Sequence, residues 1–395
     1  MRNVTGSHVE GEDFFGRTEE LAKLLRLIEN GNHVLLLGPR RIGKSSVVAE
    51  VGRRLQKQGW KVIRANVEHA GDEPALLREI NQAIRDSGVD IPLVQQAESL
   101  ISKFRERFRG KVTEMLGDES WESASDTVKQ IFANMATRGK ILFTMDELPI
   151  FLSELAGAEN GADRVRSVLR WLRSTRQKCG TNLPWLLCGS IGLDTFVEKN
   201  DLTDTINEVL PEELGAFSVD EGRALLRHLG RTSGYALDIS EDVAQVMVDR
   251  VGWPVPFYLQ LMFHGLAELP SAQRSVDYPS LADVDAAYAL LLSPAHQVKF
   301  AHWDSRLGDL LDADEAKLAR LILTEASRAA KGVGRRKLLN AAQAKSPGSD
   351  ADEHDRQLRE LLTFLQRDGY LMEESGRYAF RSFLLRDYWK RRYAR

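Results

Sequence analysis

Residues 38–45 read GPRRIGKS: a glycine, four free positions, then glycine, lysine and serine. Glycine at both ends allows a turn tight enough to aim several backbone N–H groups at one anion. Lysine beside the second glycine adds a charge that reaches the outer phosphates, and the hydroxyl after it suits Mg2+. The spacing predicts a cradle for ATP or ADP with Mg2+, built from Gly38, Pro39, Arg40, Arg41, Ile42, Gly43, Lys44, Ser45 and Ser46. In it Lys44 acts on the β- and γ-phosphates and Ser45 is a metal ligand. Arg40 and Arg41 add positive charge, or else face solvent or meet a neighbour.

The complementary chemistry lies in TMDEL. Asp146 closes the apolar run ILFTM, where its carboxylate can hold the Mg2+ shell, and Glu147 beside it can polarise a water toward the γ-phosphate. Metal coordination occupies one carboxylate and leaves the other free, so the pair favours hydrolysis over binding alone. Ser190, at the tip of LLCGS, is either a polar sensor of the γ-phosphate or a strand-end turn residue. The eight histidines show no HExxH or HxH spacing, and no GxSxG elbow occurs, so no nuclease, protease or deaminase constellation is present.

Such residues need a sheet to position them. HVLLL at 33–37, WKVIRANV at 60–67, KILFTMDEL at 140–148 and LPWLLCGS at 183–190 read as buried strands, with a fifth extended piece near 207–214. A helical stripe, Val47, Val48, Val51 and Leu55, follows the glycine loop, so strand, loop, helix and strand spell a βαβ unit. The fold class is α/β with a parallel sheet. Three helical patterns around 74–86, 94–116 and 121–137 form an insertion over 73–138, and an arginine-rich helix spans 162–178. SVDEGRALLRHL and SEDVAQVMVDRV then read as capped helices. The expected domains are 1–215, a helical lid at 216–300, and a helix-helix-helix-hairpin winged helix at 301–395, with Gly376 in the hairpin turn. The loop from Ser346 to Asp350 is the nearest thing to a linker.

Composition is that of a folded protein, with 43% apolar and 28% charged residues. Two cysteines, Cys179 and Cys188, without metal-ligand spacing fit a reducing compartment and inert buried thiols. Neither a membrane span nor an apolar signal segment is visible, so a cytoplasmic protein without a membrane partner is expected.

With these pieces placed, the sequence resembles the AAA+-related STAND and archaeal-type P-loop ATPases over nearly its whole length. FFGRTEEL at 14–21 looks like the signature that precedes the phosphate loop in that group, GPRRIGKSS like its Walker A loop, and ILFTMDEL and LLCGSIGL like its Walker B and sensor strands. GWPVPFYLQ at 252–260 resembles the motif of its lid, and YAFRSFLLRDYWKR at 378–391 is similar to the end of its winged helix. The resemblance implies a sheet in 5-1-4-3-2 order, with Asp146 and Ser190 on neighbouring strands. It implies that Phe15, Gly16 and Arg17 contact the adenine side and that Pro254 lies near the nucleotide. From the residues alone, Phe14 and Phe15 equally suit a staple at a helix start, and Trp253-Pro254 a helix break.

One departure bears on rate. Related chains offer an arginine soon after the sensor strand, whereas the segment from Asp194 to Phe217 holds Lys199 and no arginine. Arg164, Arg166, Arg170, Arg173 and Arg176 on the preceding helix either replace it or face solvent or a subunit, and the second reading is favoured. Without a finger arginine, basal turnover is expected to be slow.

The last stretch, 331–395, holds 15 Lys and Arg against 9 Asp and Glu, a local +6 in a chain of net charge −3. A nucleic-acid surface would use Arg377, Arg381, Arg386, Lys390, Arg391, Arg392 and Arg395. The helix that would enter a groove, 351–368, instead turns Leu358, Leu361, Leu362 and Leu365 to a core, which favours protein contacts or self-assembly. The expectation is an ATPase switch acting on a partner, with a DNA-loading ATPase and a binding-only nucleotide scaffold as alternatives.

Overall fold

The computed structural model describes residues 1–89, 92–108, 119–189, 192–269, 278–345 and 351–394. Helix α1 (Thr18–Glu29) buries Leu21, Leu24 and Ile28 and leads into β1 (His33–Leu37). The phosphate-loop residues follow, then α2 (Lys44–Lys57) and β2 (Lys61–Asn66). Three insertion helices come next, α3 (Glu73–Asp86), α4 (Leu93–Phe108) and α5 (Glu119–Met135), ahead of β3 (Ile141–Asp146). Helices α6 (Leu148–Ala156) and α7 (Gly161–Cys179) precede β4 (Trp185–Cys188), and α8 (Leu193–Lys199) precedes β5 (Val209–Glu213).

The five strands are parallel in the order β2-β3-β4-β1-β5, which is the 5-1-4-3-2 order the resemblance implied. Leu186 of β4 stands opposite both Val34 of β1 and Thr144 of β3. That register brings the ends of the three central strands level, so the chain leaving β1 and the acid closing β3 emerge side by side. Alternation along each strand sends side chains to two cores. Val34, Leu36 and Leu186 join α1 and α2 on one face, and Leu35, Phe143 and Leu187 join the insertion and α7 on the other.

The remaining helices extend the first of these cores. Ser218 caps α9 (Val219–Thr232) in a reciprocal box with Glu221, and Ser240 caps α10 (Glu241–Val251), each such cap contributing about 1 kcal/mol. Then come α11 (Pro256–Ala267), α12 (Leu281–Leu291), α13 (Val298–Leu310) and α14 (Ala313–Ser327). The chain closes with β6 (Val333–Gly334), α15 (Arg335–Lys345), α16 (Ala351–Arg367), β7 (Leu371–Glu374), β8 (Arg377–Phe380) and α17 (Phe383–Tyr393). Strands β6, β8 and β7 pair antiparallel in that order, and Ser375 and Gly376 turn the hairpin with φ of 53° and 75°. Leu358, Leu361, Leu362 and Leu365 of α16 are buried, and Phe300, Trp303, Tyr370 and Trp389 join the same cluster as Val34.

Two expectations change. Strand β3 stops at Asp146, because Glu147 turns left-handed (φ 61°) and Leu148 and Pro149 start α6. Helix α6, LPIFLSELA, is too uniformly apolar to show a helical stripe, and beyond Leu148 it carries no expectation. The boundary expected at 301 falls inside α13, whose Phe300, Trp303 and Leu307 form one buried stripe. The loop expected from Ser346 to Asp350 lies outside the described residues. Among the described residues no helix is long and apolar enough to cross a membrane.

Candidate functional site

The loop after β1 is shaped by its glycines. Gly38 has φ of 144°, and a Cβ there would lie 2.7 Å from the Leu214 carbonyl oxygen, so only glycine passes. Gly43 has φ of 104° at the start of α2 and nothing within 4 Å of where a Cβ would stand, which leaves the cradle open above it. Between them Arg41 takes a left-handed φ of 67° and lays its guanidinium over the Phe257 ring at 4.5 Å. Lys44 is buried and donates to the carbonyls of Gly38 (2.6 Å) and Pro39 (3.0 Å), closing the loop on itself. Burial lowers its pKa, while Glu147, Asp368 and Asp146 pull it back.

Asp146 meets the loop from β3. Ser45 Oγ donates to Asp146 Oδ2 at 2.9 Å, joining positions 101 residues apart. The other carboxylate oxygen accepts from Cys188 Sγ at 3.0 Å and from the Glu147 N–H at 2.9 Å. Burial, then Asp146, push the Cys188 thiol pKa well up, so it remains a neutral donor. The Glu147 N–H also reaches the Cys188 carbonyl, at 3.0 Å, which fixes Glu147 in its left-handed turn at the head of α6. A non-glycine residue held in that region at a strand end is the kind of strain that functional sites store.

Among the described residues no group of three His, Cys, Asp or Glu side chains forms a metal site. Ser45 and Asp146 instead supply two hard oxygen donors side by side, which fits Mg2+ completed by phosphate and water oxygens.

A cavity of about 250 Å³ opens beside the loop. Arg40 to Ser46, Asp146, Glu147 and Phe15 line it, and so do the N-terminal residues Met1 to Val9 in part, with Pro256, Phe257 and Gln260 of α11. The N-terminal segment is held there by Val9 N–H donating to Ser46 Oγ (3.1 Å) and Gly11 N–H donating to Glu50 Oε2 (2.9 Å). Phe15 rests on His228, with ring centres 5.4 Å apart.

Of the other residues expected near the nucleotide, Arg17 lines the cavity with Phe15, whereas Gly16 and Pro254 do not. Arg17 is 2% exposed, donates to the Ile42 carbonyl at 3.2 Å and to Glu20, and stacks 4.5 Å from the Phe217 ring. It ties the phosphate loop to the cavity wall, which it lines together with Ile42 and Phe217. Gly16 turns with φ of 69° against that same ring, 3.3 Å from where its Cβ would stand. Pro254 accepts from the Phe217 N–H through its carbonyl and is not among the cavity-lining residues, a place taken by Pro256. Ser190 lies outside the described residues.

Of the α7 arginines, Arg166 and Arg170 face solvent as favoured, Arg173 is half-buried, and Arg164 and Arg176 are buried. Arg164 forms a buried fork with Glu73 at 2.6 and 2.9 Å, and Arg176 pairs with Glu208 at 2.9 Å. Arg173 reaches Asp204 and Arg166 reaches Asp163, while Arg170 is exposed. In the basic C-terminal stretch Arg377, Arg381 and Arg391 donate to carbonyls of their own chain, Arg386 to Asp387 and Arg392 to Tyr393. Lys390 is exposed and Arg395 lies outside the described residues.

Three groups at the site had no legible signal. Cys188 reads as an inert thiol, and the N-terminal residues, Arg306 and Asp368 carry no site expectation. Arg306 and Asp368 form a buried fork, both bonds 2.8 Å, close to Arg40.

The family model of the AAA ATPase domain matches residues 13–183. No curated protein matches the chain in sequence. The fold is similar to that of the Walker-type ATPase of Pyrococcus abyssi, with 18% identity, a TM-score of 0.68, and 99% of this chain and 100% of that one covered. It is also similar to the ORC2 protein of Aeropyrum pernix, solved in ADPNP-ADP complexes, with 16% identity, a TM-score of 0.56 and 98% of each chain covered. The five-stranded parallel sheet is thus that of a P-loop NTPase.

Proposed function

We propose that the chain, whose residues 13–183 match the model of the AAA ATPase domain, is an ATP-binding, slowly hydrolysing switch of the STAND type. The observation that carries the reading is the bond between Ser45 and Asp146, with Glu147 next in the chain. It joins the loop that would hold the phosphates to the strand end that would act on them.

In this account the open cradle above Gly43 takes the phosphates, and Lys44 exchanges its two loop carbonyls for phosphate oxygens. Ser45 and Asp146 would hold Mg2+, which neutralises phosphate charge when bound. Glu147 accepts a proton from the attacking water as the new oxygen–phosphorus bond forms and the bond to the ADP oxygen breaks. The cavity beside Phe15 and Phe257 takes the base. Slow turnover follows from the arginines: none lies between Asp194 and Phe217, and four of the five on α7 are engaged within the chain.

We divide the chain into the ATPase domain, a lid from α9 to α12, and a winged helix made by α14 to α17 with its three-stranded sheet, joined through α13. The output is a protein partner or self-assembly, because five of the seven basic residues that would grip DNA are held by acceptors of their own chain. Both cysteines are free and buried, in keeping with a cytoplasmic location.

Phosphate release and nucleotide binding test the reading together. Lys44→Ala should abolish both, and Glu147→Gln should abolish release alone. ATP at about 100 times its dissociation constant should stabilise the wild type by about 2.7 kcal/mol, and no thermal shift would overturn the assignment. Tight, salt-sensitive DNA binding lost on removing 377–395 would favour the loading alternative. Tight nucleotide binding without release would favour the scaffold.

A further inference from the structure

Helix α11, PFYLQLMFHGLA, is apolar along most of its length, and its buried residues are aromatic, aliphatic or glycine apart from Gln260. Gln260 is itself only 7% exposed. A carboxamide taken out of water surrenders its bonds to solvent, so a buried one is normally paired inside the protein. Here the backbone carbonyl accepts from Asn3 Nδ2 at 3.1 Å, but the side-chain amide has no hydrogen-bond partner among the described residues. A buried amide left in that state suits a ligand that completes its bonds.

Its place gives that amide a use. Gln260 stands three residues after Phe257 and four after Pro256, on one face of α11, and all three line the cavity beside the phosphate loop. Lys44, Ser45 and Asp146 line the same cavity, with charge and hard oxygen donors for phosphates. Phe15, Phe217 and Leu225 add apolar wall, which suits the faces of a flat ring. Ser7 and His8 also reach the cavity from the N-terminal segment, but both are exposed and keep their water. Gln260 meets it from a buried position.

An amide carries a donor and an acceptor side by side. Adenine offers the complementary pair, an N–H donor on its 6-amino group beside a ring nitrogen that accepts. We infer that Gln260 reads the base of the bound nucleotide, its Oε1 accepting from the 6-amino group and its Nε2 donating to the ring nitrogen next to it; this rests on the ATP-switch reading and deepens it. Nucleotide binding then satisfies an amide that the nucleotide-free chain leaves unpaired. A purine without the amino group leaves Oε1 buried and unmet. A site built to pair with a polar group rejects an analogue that lacks it more sharply than an apolar wall can.

The test crosses a side chain with a nucleotide analogue. Dissociation constants for ATP and for purine riboside triphosphate, which carries hydrogen in place of the 6-amino group, are measured on the full chain carrying Glu147→Gln, so that both triphosphates persist. They are measured again with Gln260→Leu added. The parent should prefer ATP by about tenfold, the worth of a hydrogen bond whose loss leaves its partner buried and unpaired, and Gln260→Leu should bring that preference close to one. A merely structural glutamine would weaken both nucleotides alike or neither, and a preference that survives the substitution overturns the assignment. Should Gln260→Leu fail to fold, Gln260→Met removes the amide with less change of shape and carries the same expectation, overturned by the same result. If the parent binds neither nucleotide, the ATP-switch reading itself falls. Binding of both with no preference for the amino group removes only the assignment of Gln260.

Discussion

Two buried arginine–carboxylate forks of nearly identical chemistry sit in this chain, and their surroundings differ. Arg164 with Glu73 ties α7 to the head of α3, bonded at 2.6 and 2.9 Å and 5% and 1% exposed. Arg306 with Asp368 is bonded at 2.8 Å in both arms and equally buried. The charges acting on Arg40 and Lys44 include Asp368, and those on Arg40 include Arg306, whereas Glu73 and Arg164 are not among them. An ion pair in a core is a fixed tie, because nothing else can satisfy its charges. Arg306 with Asp368 differs in its place, where the turn after α16 meets Pro39 of the phosphate loop.

Breaking the fixed tie should have the largest effect on stability. Arg164→Ala leaves Glu73 buried without its partner and should cost about 3–5 kcal/mol in denaturant unfolding, with the ATP-to-ADP preference untouched. A shifted preference would erase the distinction between the two forks. Next comes Gly369→Ala, which forces a left-handed backbone and a Cβ into Pro39; unfolding should show a loss of about 1–3 kcal/mol.

A pH dependence, felt only in acid, belongs to the same junction. Burial, then the charges of Arg41, Arg40 and Arg306, hold His302 down at about 3, from an ordinary value of 6.5. The folded chain keeps this ring neutral while the unfolded chain protonates it. Its contribution is therefore full above about 6.5 and is lost as pH falls toward 3. His302→Gln should flatten that part of the stability profile, and an unaltered slope would mean that the ring is not held against those arginines.

How far the sequence told this story depends on how local each signal is. GPRRIGKS and the acids after ILFTM are short patterns whose chemistry is fixed by spacing, and Ser45 and Asp146 do converge. The helix stripes and the Ser218 and Ser240 caps were legible for the same reason. The strand order came from resemblance, since nothing in the strands themselves specifies which neighbour β1 takes. Arg17 was expected on the adenine side because its motif precedes the loop, and in the structure it lines the cavity with Ile42 and Phe217, to which its guanidinium turns. Arg306 and Asp368 are 62 residues apart on amphipathic helices rich in both charges, so nothing local marks them as a buried pair. Their meaning appears only when α16 ends against Pro39. The lid motif teaches a similar lesson: Gly252 is required because Phe383 of α17 lies 2.7 Å from where its Cβ would stand, a contact with the C-terminal layer.

Single-turnover phosphate release tests the central claim most directly, with ATP bound to excess wild-type chain or to Glu147→Gln and both checked for equal ATP affinity. The account predicts slow but complete release from the wild type and none above background from Glu147→Gln. Equal release from both, or none from either, would contradict the assignment of Glu147 and with it the hydrolytic switch.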